Sequence, residues 1–258
     1  MLHTVIDCER YPLADAQLRA RSKATLERDG VLLLPGVLKA SAVESIRDDA
    51  LQCAELAYYT QQSHNIYLEP PDPAFSDSHA RNRQVQSSKG CITTDQVPDR
   101  SALKLLYDAQ AFRSFLCAVL DVSALFEYAD PLSSINIHYA AAGQELGWHF
   151  DNSAFAITLL LQAPLAGGVF EYVQGVRDAD AGETNYAGAQ QVLDGAVSPA
   201  ELQMSPGTLV LFRGRNAMHR VTPTQGSRQR LLAVLAYNER RGVALSESAR
   251  QTFFGRLQ

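Results

Sequence analysis

The sequence has little cysteine: four residues in 258, at Cys8, Cys53, Cys91 and Cys117, with no CxxC pair among them. That spacing suggests neither a zinc knuckle nor a disulfide framework, and the default reading is reduced thiols in a cytoplasmic protein. Long apolar runs are missing as well. No window approaches the ~18 consecutive apolar residues of a membrane helix, so no membrane partner is expected. The stretch from Met1 to Arg10 carries acids and lacks the basic start and apolar run of a secretory signal. Basic charge is also short, with 23 Lys and Arg against 28 Asp and Glu and a formal net charge of −5. A nucleic-acid binder needs a basic stripe to displace counterions, so no nucleic-acid partner is expected.

The composition that remains, 46% hydrophobic and 20% charged, is that of a chain able to build one sizeable core. A single domain over 1–258 is expected, with helical support and a lid over 1–120 and a β core over 125–240. Residues 15–29 read as an amphipathic helix stopped by Gly30, and Val31-Leu32-Leu33-Leu34 as a short buried strand ended by Pro35-Gly36. A second helix is expected from Ser41 to Tyr58. From Gln61 to Pro98 periodicity is lost among Pro70-Pro71-Asp72-Pro73 and Ser76-Asp77-Ser78, which reads as a long loop acting as a lid. Arg81, Arg83 and Lys89 in it form the densest basic cluster, readable as a solvated loop or as a small-anion contact. Residues 101–120 resume a helical pattern.

After Pro131 the texture becomes one of short strands: Ser134–Tyr139, Gly147–Asp151, Ala154–Gln162, Val169–Val173, Thr208–Arg213 and Arg230–Tyr237. An insertion over 186–204 holds a short helix near Ala189–Leu193. Helices do not alternate with the strands, so a parallel βαβ fold is disfavoured and a sandwich or barrel is favoured. The expected class is mainly β with flanking helices.

Within this core stands Trp148-His149-Phe150-Asp151. On a strand, residues two apart share a face, so His149 and Asp151 project into one cavity while Trp148 and Phe150 face the other side. Alone, an HxD pair is equally a surface pair or a satisfied core histidine. Its partners raise its weight. His219 follows the strand ending Val210-Leu211-Phe212-Arg213 and begins a turn with Pro223 and Gly226. Two imidazoles and one carboxylate are the ligand set of a non-heme Fe(II) site, which keeps three coordination positions open for a bidentate 2-oxoacid and for O2. Arg228 is placed at the start of the next strand, where a guanidinium can hold the distal carboxylate of a dicarboxylic 2-oxoacid bidentately. Arg230 shares its face by the period-two rule and is its rival.

The order HxD, then Gly207-Thr208-Leu209-Val210-Leu211-Phe212, then His219-Arg220-Val221-Thr222-Pro223 and a Gly226-Ser227-Arg228 arginine, resembles the Fe(II)/2-oxoglutarate-dependent dioxygenases. The resemblance covers residues 125–240, and Gly30 to Leu38 is similar to a segment near the N-terminus of such enzymes. It implies a double-stranded β-helix (jelly roll, cupin-like) with flanking helices, iron on His149, Asp151 and His219, and 2-oxoglutarate on Arg228. A narrower likeness is to the bacterial branch of free-amino-acid hydroxylases and halogenases. It rests on Trp148-His149-Phe150-Asp151, Thr158-Leu159-Leu160-Leu161-Gln162, Gly167-Gly168-Val169-Phe170-Glu171-Tyr172 and Phe254-Gly255-Arg256. In the halogenases of that branch a small residue replaces the metal carboxylate and opens a place for chloride. Asp151 stands there in this sequence, so the resemblance implies hydroxylation ahead of halogenation, desaturation or cyclisation. A jelly-roll binding protein without turnover is the reading from a different class.

Around the centre, Ile135-Asn136-Ile137-His138-Tyr139 alternates so that Asn136 and His138 face the cavity, to meet 2-oxoglutarate or substrate, with Tyr139 as competitor. Asn152, Thr158, Arg81 and Arg83 are the substrate-contact candidates, the two arginines for a substrate carboxylate. A small, amino-acid-like molecule is the expected partner, and a homodimer is compatible with the composition.

Overall fold

The computed structural model describes residues 2–258. Four α-helices lie in the first half of the chain. Helix α1 (Ala16–Asp29) starts where the Asp15 carboxylate accepts from the Leu18 N–H at 2.6 Å, and ends at Gly30, whose φ of 66° is the left-handed conformation that glycine adopts without strain. Strand β1 (Val31–Leu34) follows. Helix α2 (Ala40–Gln52) buries Val43, Ile46 and Ala50 and stops short of the expected Tyr58. A 3-10 turn at Ala54–Leu56 interrupts it, and Tyr58 already belongs to β2 (Tyr58–Asn65). The helical pattern over 101–120 divides at Ala109, with ψ of 116°, into α3 (Ala102–Asp108) and α4 (Gln110–Leu120). Helix α4 buries Phe112, Phe115, Leu116 and Val119, the three- and four-residue spacing of one helical face.

The remaining strands are β3 (Gln84–Ile92), β4 (Ile135–Ala140), β5 (Leu146–His149), β6 (Ala156–Gln162), β7 (Ala166–Gly167), β8 (Phe170–Val173), β9 (Ala200–Leu202), β10 (Leu209–Phe212), β11 (Met218–Val221), β12 (Thr224–Gln225) and β13 (Arg230–Leu235). Helices α5 (Tyr186–Leu193) and α6 (Glu247–Phe254) complete the elements used below. Strands run β1-β10-β6-β13-β4-β3-β5-β11-β8-β9 with β2 beside β3, and β7 pairs β12 separately. Each registered pair is antiparallel. The sheet curls on itself as a jelly roll.

Period-two alternation decides what each wall does. Ile135, Ile137 and Tyr139 of β4, Ile157, Leu159 and Leu161 of β6, Leu209 and Leu211 of β10, and Leu231, Ala233 and Leu235 of β13 join the helices in the largest core cluster. Burying such side chains contributes ~1.5–3 kcal/mol each. Their neighbours on the opposite face, among them His138, Thr158, Phe212, Arg230 and Val234, line a cavity of 710 Å3.

The expectation of an irregular lid over residues 61–98 is corrected. Strands β2 and β3 form a hairpin in continuous register from Tyr58↔Cys91 to Asn65↔Gln84. Its sequence hides it because one face, with Thr60, Gln62, His64, Ser87 and Lys89, borders a polar part of the cavity, while Tyr59 on the outside is exposed. Neither face carries the apolar alternation by which a half-buried strand is read. The connection between the two strands, residues 66–83, is irregular, and Phe75 and His79 stack there at 4.4 Å and pack against Tyr186 of α5.

Candidate metal centre

Strand β5 ends at His149, and the alternation continues one step beyond it. Trp148 and Phe150 pack outward with Ile66, Tyr67 and Met218, while His149 and Asp151 line the cavity. His219 lies within β11 as the register partner of His149, and the two rings stand 4.1 Å apart. Each ring is fixed from behind. Nδ1 of His149 lies 2.8 Å from the Gly147 carbonyl and Nδ1 of His219 lies 3.0 Å from the Ala217 carbonyl. A carbonyl only accepts, so both Nδ1 atoms carry hydrogen and both Nε2 atoms present a lone pair. Those lone pairs meet Oδ1 of Asp151 at 3.8 and 3.5 Å.

Electrostatics favours the ligand forms. Burial, followed by the adjacent His219, pulls His149 down to about 3, so its ring is neutral at physiological pH. Burial acts to raise the Asp151 carboxyl, but its surroundings, the Arg177 guanidinium among them, outweigh it and hold the group below the usual carboxylate range. Oδ2 of Asp151 is buried with no hydrogen-bond partner. One ligand atom from each of the three residues lies within 4.8 Å of the others. A buried carboxylate oxygen without a donor beside two oriented imidazole lone pairs fits a divalent cation, and the 2-His-1-carboxylate set fits Fe(II).

Two further residues build this centre and were not found from the sequence. Gly214 accepts from the Asp151 N–H at 3.1 Å, and a Cβ placed on it would overlap the Asp151 carboxylate and come within 2.9 Å of Cε1 of His219. The signal was there in Arg213-Gly214-Arg215, a glycine between the β10 strand and the distal histidine. Arg177 donates through Nε to the Arg215 carbonyl at 2.7 Å and through Nη2 to the Asp151 carbonyl at 3.4 Å, and it sits 4.2 Å over the Phe150 ring. It therefore ties the Asp151 turn to the Gly214 loop. His64, also unforeseen, lines the cavity edge-on to His149 at 6.5 Å, with Nε2 2.7 Å from Oγ of Ser87.

The other expected residues separate into those at the cavity and those away from it. Arg228 is exposed in the turn after Gly226 and donates to the Pro164 carbonyl at 3.2 Å. The expectation that it begins the next strand is corrected: β13 starts at Arg230, opposite Ala140 of β4. Arg230 is 5% exposed, lines the cavity, and has a buried Nη2 with no partner. His138 reaches the cavity wall. Asn136, on the same strand face, instead donates to the Leu132 and Ile135 carbonyls at 3.0 and 2.9 Å. Tyr139 shares the parity of the isoleucines, lies in the core, and donates to the Ala50 carbonyl at 2.6 Å, so it is not a cavity residue.

Thr158 and Asn152 both line the cavity, Asn152 from its exposed rim. Arg81 is buried against Glu69 at 2.9 Å, and only the glutamate of that pair lines the cavity. Arg83 forms an ion pair with Asp194 at the end of α5, which takes it out of the expected role. Around His219 the wall is apolar, with Phe212 and Phe170 at 4.9 and 5.5 Å from its ring and Leu202, Met204, Val210 and Val221 nearby.

Residues 14–253 match the family described as Halogenase D. No curated protein matches the sequence. Solved structures are similar at the level of fold. A 2OG-Fe(II) oxygenase-family oxidoreductase from Burkholderia pseudomallei shares 16% identity over 87% of this chain and 92% of its own, with a TM-score of 0.54. A prolyl-4-hydroxylase from Pseudomonas putida shares 14% over 86% and 99%, with a TM-score of 0.53. The epimerase SnoN, in complex with Fe3+, alpha ketoglutarate and nogalamycin RO, shares 16% over 86% and 84%, with a TM-score of 0.59. These likenesses show that the chain has the jelly-roll fold of that group. Among the described residues no helix is long and apolar enough to cross a membrane.

Proposed function

The chain belongs to the Halogenase D family, matched over residues 14–253, and from that premise we propose that it is an Fe(II)- and 2-oxoglutarate-dependent oxygenase that hydroxylates an unactivated C–H bond. Its substrate is a small, amino-acid-like metabolite, and its compartment is the cytoplasm, in keeping with four unpaired cysteines. The observation that carries hydroxylation is Asp151. In the halogenases this sequence resembles, a small residue at that place leaves room for chloride; here an ionised, half-buried carboxylate fills it.

His149 and His219 would hold the iron through Nε2 and Asp151 through a carboxylate oxygen. Bound iron with 2-oxoglutarate supplies an oxidant made from O2, with succinate and carbon dioxide as co-products. The residues of the chain determine where that oxidant acts. Arg230 holds the distal carboxylate of the 2-oxoacid, a bidentate task for a guanidinium with a free Nη2. Phe170 and Phe212 keep water from the His219 side, and Val210 and Val221 extend that apolar wall, which suits the aliphatic part of a substrate. Position of attack then follows from which C–H bond this wall presents.

The family match keeps halogen transfer as the second reading, and one assay separates the two. With Fe(II), ascorbate, 2-oxoglutarate, chloride and a panel of amino acids, the expected result is substrate-stimulated succinate and a product heavier by one oxygen atom. Chlorine in the product would overturn the reading of Asp151, and a product lighter by two hydrogens would show desaturation. Absence of substrate-stimulated succinate across a broad panel would favour a binding protein.

A further inference from the structure

Asp151 and Glu69 are the acids that line the cavity, and Asp151 belongs to the metal centre. The cations that line it, Lys89 and Arg230, stand on the wall of β3, β4 and β13, where Nζ of Lys89 also lies 3.0 Å from Nε2 of His138. Lys89 is the register partner of Thr60, whereas Glu69 follows Asn65 at the far end of the hairpin. The Glu69 side chain is 60% exposed, which places it at the rim. The other exposed polar residues of the lining, Ser63, Gln84, Asn152, Ser248 and Thr252, carry no charge. The backbone of Glu69 is fixed by Asn65, which is 2% exposed: Nδ2 donates to the Glu69 carbonyl at 2.6 Å and Oδ1 accepts from the Glu69 N–H at 3.3 Å. Leu68 beside it has φ of 57°, a region disfavoured for a residue with a Cβ, and such strain persists where the surroundings enforce it. From behind, the buried Arg81 donates through Nη2 to Oε2 of Glu69 at 2.9 Å. Among the described residues, no hydrogen bond reaches Oε1.

We propose that Glu69 is the subsite for an ammonium group of the substrate, and that substrates are selected as aliphatic amines, the carboxylate of an amino acid being dispensable. The inference rests on the oxygenase reading above, which makes this cavity a substrate site. Arg81 and Arg83, the cations that the sequence offered for a substrate carboxylate, are committed to Glu69 and Asp194. His64 engages Nδ1 with the Asn65 carbonyl and Nε2 with the Ser87 hydroxyl, so its ring has no N–H free for an anion. A carboxylate at this rim meets Glu69 with no free cation to offset the repulsion, whereas an ammonium donates to Oε1. Arg81 approaches one oxygen only, so it orients the Glu69 carboxylate and leaves the other acceptor open. Leu68 and Pro71 near Glu69, and Phe170 and Phe212 near His219, offer apolar surface to the chain that carries the ammonium.

The test is calorimetric titration of the full chain, loaded with Mn(II) and 2-oxoglutarate, with three probes of one carbon skeleton. They are L-leucine, 3-methylbutylamine, which lacks the carboxylate, and 4-methylpentanoate, which lacks the ammonium. Wild type is expected to bind leucine and the amine, and to bind the acid at least about tenfold more weakly, the worth of one charged hydrogen bond. In Glu69→Gln, which keeps the side-chain shape and an acceptor for Arg81, affinity for leucine and the amine falls about tenfold. Wild type that fails to bind the amine, or that binds the acid as tightly, overturns the ammonium site. So does a Glu69→Gln variant that binds the amine like wild type, or one that loses 2-oxoglutarate to the same extent, the mark of a general collapse of the cavity. If that variant does not fold, the wild-type ranking of the three probes decides alone. Failure of the Mn(II)-loaded wild type to bind 2-oxoglutarate overturns the oxygenase reading and this one with it, whereas 2-oxoglutarate bound and the amine refused overturns the ammonium site alone.

Discussion

The Asp151 carboxylate lies against the Cα of Gly214, in space that any other residue at 214 would fill with its Cβ. The glycine therefore sets the approach of a ligand oxygen to the two imidazoles. Gly214→Ala is expected to push Asp151 off the axis shared with His149 and His219 and to weaken divalent-metal affinity about 10–100-fold, the range for residues that support metal ligands. Calorimetric Mn(II) titration, with circular dichroism to confirm folding, checks it. Unchanged affinity would show that the carboxylate has room to move.

Arg230 and Arg228 are separated by burial. Arg230→Met is expected to weaken 2-oxoglutarate binding to the Mn(II)-loaded protein by roughly 100-fold, since truncating one partner of a buried charged pair costs ~2–5 kcal/mol. Arg228→Ala, at an exposed turn with one contact to a carbonyl, leaves the affinity within about twofold. The opposite ranking would restore Arg228 as the anchor.

Asp151→Gly removes the one anionic ligand of the three. Hydroxylation should fall below detection and metal affinity by at least about 100-fold, beyond the loss for an outer supporting residue. Product mass and metal titration read the two effects separately. Full hydroxylation by this variant would mean that Asp151 does not bind the metal.

Asp130 governs how the C-terminal segment docks. Its Oδ1 accepts from the Leu132 and Ser133 N–H groups and the Ser133 hydroxyl, and its Oδ2 accepts from the Leu245 N–H at 2.9 Å, just ahead of α6. Burial raises this carboxyl, but those four hydrogen bonds more than offset it and hold it low. A carboxyl depressed in the folded state stabilises above its unfolded value of ~3.9, and that contribution is lost as pH falls through the folded value. Asp130→Ala should cost about 2 kcal/mol at neutral pH, a drop in Tm of about 6 °C, with the gap to wild type closing in strong acid. Since Ala249, Thr252 and Phe253 of α6 line the cavity, KM for the substrate should rise as well.

What the sequence made legible follows from how local each determinant is. His149 and Asp151 were readable because two-residue spacing alone puts them on one face, and α1 because Asp15 and Gly30 bracket it. Arg228 was misplaced because the turn from Gly226 runs on to Gln229 before β13 begins, a boundary set by pairing with β4 and not by residue type. Asn136 shares the face of His138, yet the Leu132 carbonyl captures it near the start of the strand. The β2–β3 hairpin gave no signal because polar residues face the cavity. Lys89 was visible only as part of a basic cluster, and its pairing with His138 depends on neighbouring strands meeting across a long gap in sequence.

The pairing of His149 with His219 also bears on how the chain matures. The two residues come from strands far apart in sequence, a late and non-local contact, and a slip of one position would turn an imidazole outward. An ion that needs both rings binds only the in-register closure. Iron supply would thus act as an arbiter of folding, retaining barrels that closed correctly and leaving misaligned ones without their strongest cross-link.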